Sequence, residues 1–422
     1  MAESGISKKI VDNKSIWLLF GVCWVAYFIS YVGRINYSAA MPYIIGGGSL
    51  SMTQAGSLST AFFLCYGGGQ LINGMLGDRF KPERLVFIGL GLSAVANFLM
   101  GVGFGYAFVL IFWAINGYVL SMLWPPIIRI FADMLEERTM VRCCVHITSS
   151  MAAGSLCAYL LASLVIRFWG WQAVFFMAAV MLLCMCAAWW AVFSVIKKRR
   201  DLLGVTPAPK PEKSSDAKSR GGGFIRYLFG SGILIFLLPV IIHGAMKDGI
   251  TAWVPTMLAQ TFDVPGSMAV LATAVLPLAN LSGAYMAGWA FKRWIKNEIL
   301  CAAAFFAMAL ASLVAILLVG SVNILLTVSL LAVITASMLA INVLMINFVP
   351  LRFHGMGRTA TVSGMFNATA YIGSAVTTAG IGWVVSGFGW DMAMVTFAVI
   401  TVFAIAMCLF GGRVKLPSLG EK

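Results

Sequence analysis

Two cations stand where a cation is costly. Arg34 and Lys247 each lie well inside a long apolar stretch of the chain. A charge at mid-bilayer costs about 2.5–3.5 kcal/mol on insertion scales, so it persists only with a partner or a wet cavity. Two such cations facing one another repel unless an anion sits between them. An organic phosphate carries close to two negative charges near neutral pH, and a guanidinium can hold its oxygens in a bidentate fork. Anion binding is therefore the chemistry these residues suggest. Tyr27, Tyr31 and Arg34 fall at i, i+4 and i+7, which puts them on one helix face, and Tyr66 lies in the middle of a second apolar run. Phenols can donate to phosphate oxygens while their rings pack against apolar walls. The alternative is that each cation pairs with a local acid. Asp248 is the acid placed well inside an apolar segment, but it adjoins Lys247, and neighbours in sequence point about 100° apart on an α-helix. His243, one helical turn before Lys247, is either a further cavity residue or a structural histidine.

The elements that must position these groups follow from composition. A length of 422 residues would suggest about three soluble domains. Yet hydrophobic residues make up 61% and charged residues only 10%, against roughly 25% charged in a soluble domain, and the mean hydropathy is +0.93. The chain reads as an all-α, polytopic membrane protein. Collagen-like, disordered, coiled-coil and disulfide-stapled readings fail on the same figures. The nine cysteines sit within or at the ends of apolar runs with no CxxC or Cys/His cluster, so they read as small buried apolar residues. No metal site and no cofactor is expected. The polar first residues lead straight into an apolar segment without the pattern of a cleavable signal.

A bilayer core takes about 20 apolar residues per helix. Stretches of that kind cover approximately 15–45, 52–77, 83–103, 106–135, 141–166, 170–197, 226–258, 265–290, 297–318, 322–350, 358–386 and 389–412. Twelve transmembrane helices are thus expected, in two bundles of six spanning 15–197 and 226–412. Residues 198–225, charged and rich in Pro, Ser and Gly, form a solvated linker between them. Residues 1–14 and 413–422 are short polar tails. With both tails cytoplasmic, all but four of the 29 lysines and arginines fall on the cytoplasmic side. The exceptions are Arg167 on the outer face and Arg34, Arg129 and Lys247 inside helices. The net charge of +14 is then a positive-inside signature facing an anionic leaflet, and no nucleic-acid surface is implied. The halves also repeat. Arg34 precedes Pro42 as Lys247 precedes Pro255, both at an offset of 213, and basic turns follow near Asp78 and Lys292. Internal symmetry of this kind marks secondary transporters, whose substrate site lies near the midplane between repeats.

Between the second and third segments runs Gly74-Met-Leu-Gly77-Asp78-Arg79-Phe-Lys81-Pro-Glu83-Arg84. Its glycines allow close helix contact, while Asp78, Arg79 and Arg84 can pair at the cytoplasmic mouth as a conformational latch. GDRFKPER, with the twelve-helix repeat, resembles the major facilitator superfamily. RINYSAAMP, the LWPPIIR that contains Arg129, and TVSGMFNATAYIG with Asn367 and Tyr371 look more narrowly like its organophosphate:phosphate antiporters. That resemblance implies rocker-switch exchange of inorganic phosphate for a phosphorylated metabolite such as a sugar phosphate or glycerol phosphate. It implies Arg34 as the first-half phosphate-binding arginine and Tyr27, Tyr31, Tyr66 and Tyr371 as cavity tyrosines. Lys247 replaces the second-half arginine. The hydroxyl run Thr148-Ser149-Ser150 stands where the family carries a site histidine, making Ser150 a candidate contact. Gln70 stands where a lysine is common.

The expected function is therefore an antiporter for a small anionic substrate, a monomer in a bacterial inner membrane and not an enzyme. Anion binding would neutralise Arg34 and Lys247 so that the halves can rock, while an unloaded cavity with unpaired cations would resist closing. Asp248 joins Arg129 and the loop residues among candidates for the conformational change. A proton-coupled organic-anion symporter, with Asp248 or His243 titrating, and a non-transporting sugar-phosphate sensor remain as alternatives. The central expectation is that neither cation lies against lipid or is clamped to a carboxylate.

Overall fold

The computed structural model of the chain describes residues 12–77, 80–103, 105–202, 233–319, 322–352 and 359–412. In the first half these fold into Asn13–Gly46 (α1), Met52–Gly77 (α2), Pro82–Val102 (α3), Tyr106–Phe131 (α4), Arg142–Trp169 (α5) and Trp171–Arg199 (α6). The second half holds Leu234–Thr261 (α7), Gly266–Arg293 (α8), Glu298–Val319 (α9) and Ile324–Phe348 (α10). Its last helix runs Val362–Gly411, broken at Gly389, which has φ 80° and ψ 178°; the two parts are 362–388 (α11) and 390–411 (α12). Eleven of these twelve helices lie in stretches long and apolar enough to cross a membrane. The other, α2, has 26 residues and carries Gln54, Ser57, Thr60, Gln70 and Asn73, polar groups that lower its hydropathy. The protein is a multi-pass membrane protein. Most of the linker expected at 198–225, residues 1–11 of the first tail and all of the tail 413–422 lie outside the described residues.

The helix ends have local causes. Asp12 caps α1 by accepting from the Ser15 amide and hydroxyl, each at 3.0 Å, and those bonds hold its carboxyl below the usual carboxylate range. The α4 helix is interrupted at 121–123 and resumes at Trp124 with Pro125 and Pro126 in its first turn, where a missing N–H costs nothing. Arg129 lies in that last stretch, bonded to Asp133 at 3.3 Å. It sits inside the helix, as the sequence suggested, near the end of α4. The turn from α5 to α6 uses Gly170 at φ 80° and ψ 173°, nearly the dihedrals of Gly389 between α11 and α12. Each is followed by a tryptophan, Trp171 and Trp390. That region of backbone space is essentially closed to residues with a Cβ, so the two halves repeat in geometry as well as in sequence.

One end of the molecule carries Asn13 and Gly411 and is called here the tail end; the loop at 47–51 lies at the far end. The helices of the two halves meet closely along α2 and α11, and at α1 with α7 and α5 with α8. Small residues permit this. A Cβ on Gly56 would lie 2.5 Å from the Thr378 carbonyl oxygen, and one on Gly382 would lie 2.6 Å from that of Met52. Ser38 donates to the Ala252 carbonyl at 2.7 Å, and Ser163 to that of Ser267 at 2.9 Å. These contacts join the halves at the far end. Toward the tail end, ion pairs lie within halves. Glu83 meets Lys197 at 2.9 Å, and Glu298, 1% exposed, receives Arg352 at 2.7 Å, with the Arg352 Nε donating to both of its oxygens.

Candidate functional site

Arg34 is aimed by the packing of α1. Two residues on, the Asn36 amide donates to Asn97 at 2.7 Å; Asn116 donates to the Gly33 carbonyl at 2.9 Å and accepts from Ser93 at 2.6 Å. This buried network ties one face of α1 to α3 and α4. The guanidinium leaves on another face, toward α2 and the second half. There it lies over the rings of Tyr66 at 4.7 Å, Tyr31 at 5.5 Å, Phe63 at 5.6 Å and Phe62 at 5.7 Å. Each such contact is worth about 0.5–2 kcal/mol depending on desolvation, so together they can offset much of the cost of the buried charge. Among the described residues the guanidinium makes no hydrogen bond, and its side chain is 11% exposed.

Lys247 is placed by a distortion. Ala245–Ile250 is a turn of π-helix, a wider coil found frequently at functional sites. The helix can sit there because α7 and α11 touch backbone to backbone. A Cβ on Gly244 would overlap the Ala370 carbonyl, and one on Gly373 would overlap that of Ile241. The close approach puts the Lys247 ammonium over the Tyr371 ring at 5.7 Å. Tyr371 in turn meets the Tyr66 ring at 5.1 Å, so aromatic side chains of both halves share the space between the cations.

Asp248 corrects the reading from sequence. The 100° rule holds for a regular α-helix, and in the π turn both neighbours reach the same place. One oxygen of Asp248 is 3.5 Å from the Lys247 ammonium and accepts from the Ser374 hydroxyl at 2.9 Å. The other is 4.0 Å from Arg34. Two cations and one carboxylate give this cluster a formal charge of +1. Unit charges 4 Å apart interact by about 4 kcal/mol at an effective dielectric of about 20, enough to matter. Neither pair is a hydrogen-bonded clamp, however, and both cationic side chains are largely enclosed, Arg34 at 11% and Lys247 at 23% exposed. The two cations are therefore not unpaired.

Other expected residues fall around or away from this cluster. Tyr27 packs on Tyr31 at 5.5 Å and on Trp124 at 4.8 Å, one turn toward the tail end. Asn367 donates to Gln70 at 2.7 Å, bridging α11 and α2 one turn below Tyr371 and Tyr66. Ser150 does not join them; it is fully buried and donates to the Ile147 carbonyl of its own helix at 2.6 Å. His243 is also fully buried and turns to Asn342 of α10 at 3.2 Å rather than into the space between the halves. Trp253 donates to the Thr378 carbonyl at 3.1 Å, a packing role. Gly74 and Gly77 are helical backbone at the end of α2, Arg84 is exposed, and Asp78 and Arg79 lie outside the described residues. Phe62, Phe63 and Ser374 were missed from sequence. Phe62 and Phe63 precede Tyr66 by about one helical turn, and Ser374 follows Tyr371 by three residues; those spacings were the available signal.

Against known proteins, the sequence profile of the Major Facilitator Superfamily matches residues 23–378. The glycerol-3-phosphate transporter of Bacillus subtilis is 24% identical over 416 residues, covering 90% of either chain. A probable hexose phosphate transport protein of Chlamydia trachomatis is 22% identical, over 93% of this chain and 89% of its own. Among solved structures, a bacterial homologue of the human lysosomal transporter Spinster, inward-facing and occupied, superposes with a TM-score of 0.74 at 14% identity, over 94% of this chain and 96% of that one.

Proposed function

The chain belongs to the Major Facilitator Superfamily, a family of transporters rather than enzymes, and we propose that it carries small phosphorylated anions by alternating access in exchange for inorganic phosphate. The observation that carries this reading is Arg34. Its guanidinium donors are free of hydrogen bonds among the described residues, are held in a cradle of four rings, and face a second cation, Lys247, contributed by the other half. A phosphate oxygen pair fits the fork of Arg34, the ammonium supplies a point charge, and Tyr31, Tyr66 and Tyr371 supply phenol donors. The similar transporters named for glycerol 3-phosphate and hexose phosphate support a phosphate ester as cargo.

The carrier works as two six-helix bundles, 15–197 and 226–412, joined by the linker. The excess of basic residues toward the tail end supports its facing the cytoplasm. The far-end contacts of Gly56, Ser38, Ser163 and Gly382 then close the outer side. Rocking about the cluster would break these contacts and bring the cytoplasmic ends together. Phosphorylated cargo and phosphate, bound in turn between Arg34 and Lys247, cross in opposite directions.

The test is transport by the purified chain in liposomes. Internal phosphate should accelerate uptake of labelled glycerol 3-phosphate several-fold, and Arg34→Ala should reduce it to the level of protein-free liposomes. Uptake by Arg34→Ala equal to that of the wild type defeats the proposal.

A further inference from the structure

We infer that Asp248 is a built-in counter-ion that stands in for the transported anion, so that the carrier also returns across the membrane without cargo. This rests on the exchange reading above and changes what that reading demands. In a carrier whose two halves each present a bare cation, closing the unloaded site forces like charges together, and only the loaded form crosses. Strict exchange follows. Here Asp248, from the second half, has one oxygen 4.0 Å from Arg34 of the first and the other 3.5 Å from Lys247. A single carboxylate lies between the two charges that an anion would otherwise have to separate.

The contact is suited to displacement. Toward Arg34 it is a charge contact without a hydrogen bond, so an incoming phosphate that offers two oxygens to the guanidinium gains bonds Asp248 does not make. Displaced, the carboxylate keeps an anchor, because the Ser374 hydroxyl donates to it at 2.9 Å while also lying 3.0 Å from the Gly244 carbonyl. The π turn at Ala245–Ile250 is what allows Lys247 and Asp248 to serve the same site. Among the described residues, buried Glu298 is engaged with Arg352 and buried His243 with Asn342. Asp248 is therefore the acid that can alternate with cargo, and the unloaded form closes with a formal charge of +1 rather than the +2 of two bare cations.

The experiment compares net entry with exchange in one preparation. Labelled glycerol 3-phosphate is presented to liposomes holding the full chain, with unlabelled phosphate inside or with none, and with the membrane potential clamped and the pH equal on both sides. The wild type should show net entry within about ten-fold of its exchange rate, a gap of roughly 1.4 kcal/mol in barrier. Reading the ratio of the two rates within each variant cancels changes in affinity. Asp248→Asn should lower that ratio by at least about ten-fold, and Asp248→Glu, which keeps the carboxylate, should hold it within about three-fold. Exchange by the wild type without net entry above protein-free liposomes overturns the inference while leaving the exchange reading intact. So does an equal ratio in Asp248→Asn and wild type, or an equal fall in both variants, which would mark a role in shape rather than charge. No exchange by the wild type would overturn the transport reading, and the inference with it.

Discussion

Arg34 and Lys247 keep their charges by different means, and substitutions should separate them. Arg34 has four rings beneath it and an unbonded fork. Arg34→Lys retains the charge but loses the bidentate geometry, and charge-assisted hydrogen bonds are worth about 1.5–3 kcal/mol. Binding of glycerol 3-phosphate, followed by calorimetry in detergent, should weaken by about ten- to a hundred-fold. Tyr66→Phe leaves the ring under the guanidinium and removes only a phenol, worth about 0.5–1.5 kcal/mol. Its affinity should fall by no more than about ten-fold, with the Tm unchanged; a collapse in Tm would assign Tyr66 to packing. Both cations were legible in the sequence because a charge in an apolar run must be explained. Asp248 was visible but misplaced, since the angle between neighbours was taken from a regular helix and the π turn breaks that rule. Ser150 was expected by analogy with a histidine position, and a short hydroxyl side chain satisfied by its own helix has no reach to follow it.

The site depends on how closely α7 and α11 approach, and that depends on two glycines. Gly244 and Gly373 touch backbone across the interface. Gly244→Ala or Gly373→Ala inserts a methyl where none fits, and overpacking costs about 1–3 kcal/mol. Both should lower the Tm in detergent and weaken anion binding together. Gly380→Ala on the same helix meets nothing within 4 Å and should change neither; equal effects from all three would contradict the packing account. Gly389→Ala places a Cβ at φ 80° and should destabilise by about 1–3 kcal/mol through backbone strain. All twelve helices were readable as long apolar stretches, although the polar residues of α2 make it the one that does not count as a candidate span by hydropathy. The break near Gly389 was readable as well, because Ser386-Gly387-Phe388-Gly389 interrupts the apolar run between the segments 358–386 and 389–412; its φ of 80° was not, since apolar counting cannot see a dihedral.

As a whole, the halves meet at the far end, while the tail-end pairs Glu83–Lys197 and Glu298–Arg352 each lie within one half. Gly56→Val pushes α2 from α11 at 2.5 Å from the Thr378 carbonyl, and should shift the population toward a form open at the far end. Hydrogen exchange by mass spectrometry should then be faster across 52–60 and 375–382, and an unchanged pattern would contradict the gate. The repeat of the cations and prolines was plain in the sequence, but which ends meet was not, because that choice is a balance between two conformations of one chain. The central claim is that one cation from each half grips the same anion. Its most direct test is binding of labelled inorganic phosphate to the purified wild type, Arg34→Gln and Lys247→Gln, each shown to be folded by its Tm. The account predicts saturable binding by the wild type and a loss of at least about ten-fold in affinity for each variant. Undiminished binding by either folded variant would contradict it.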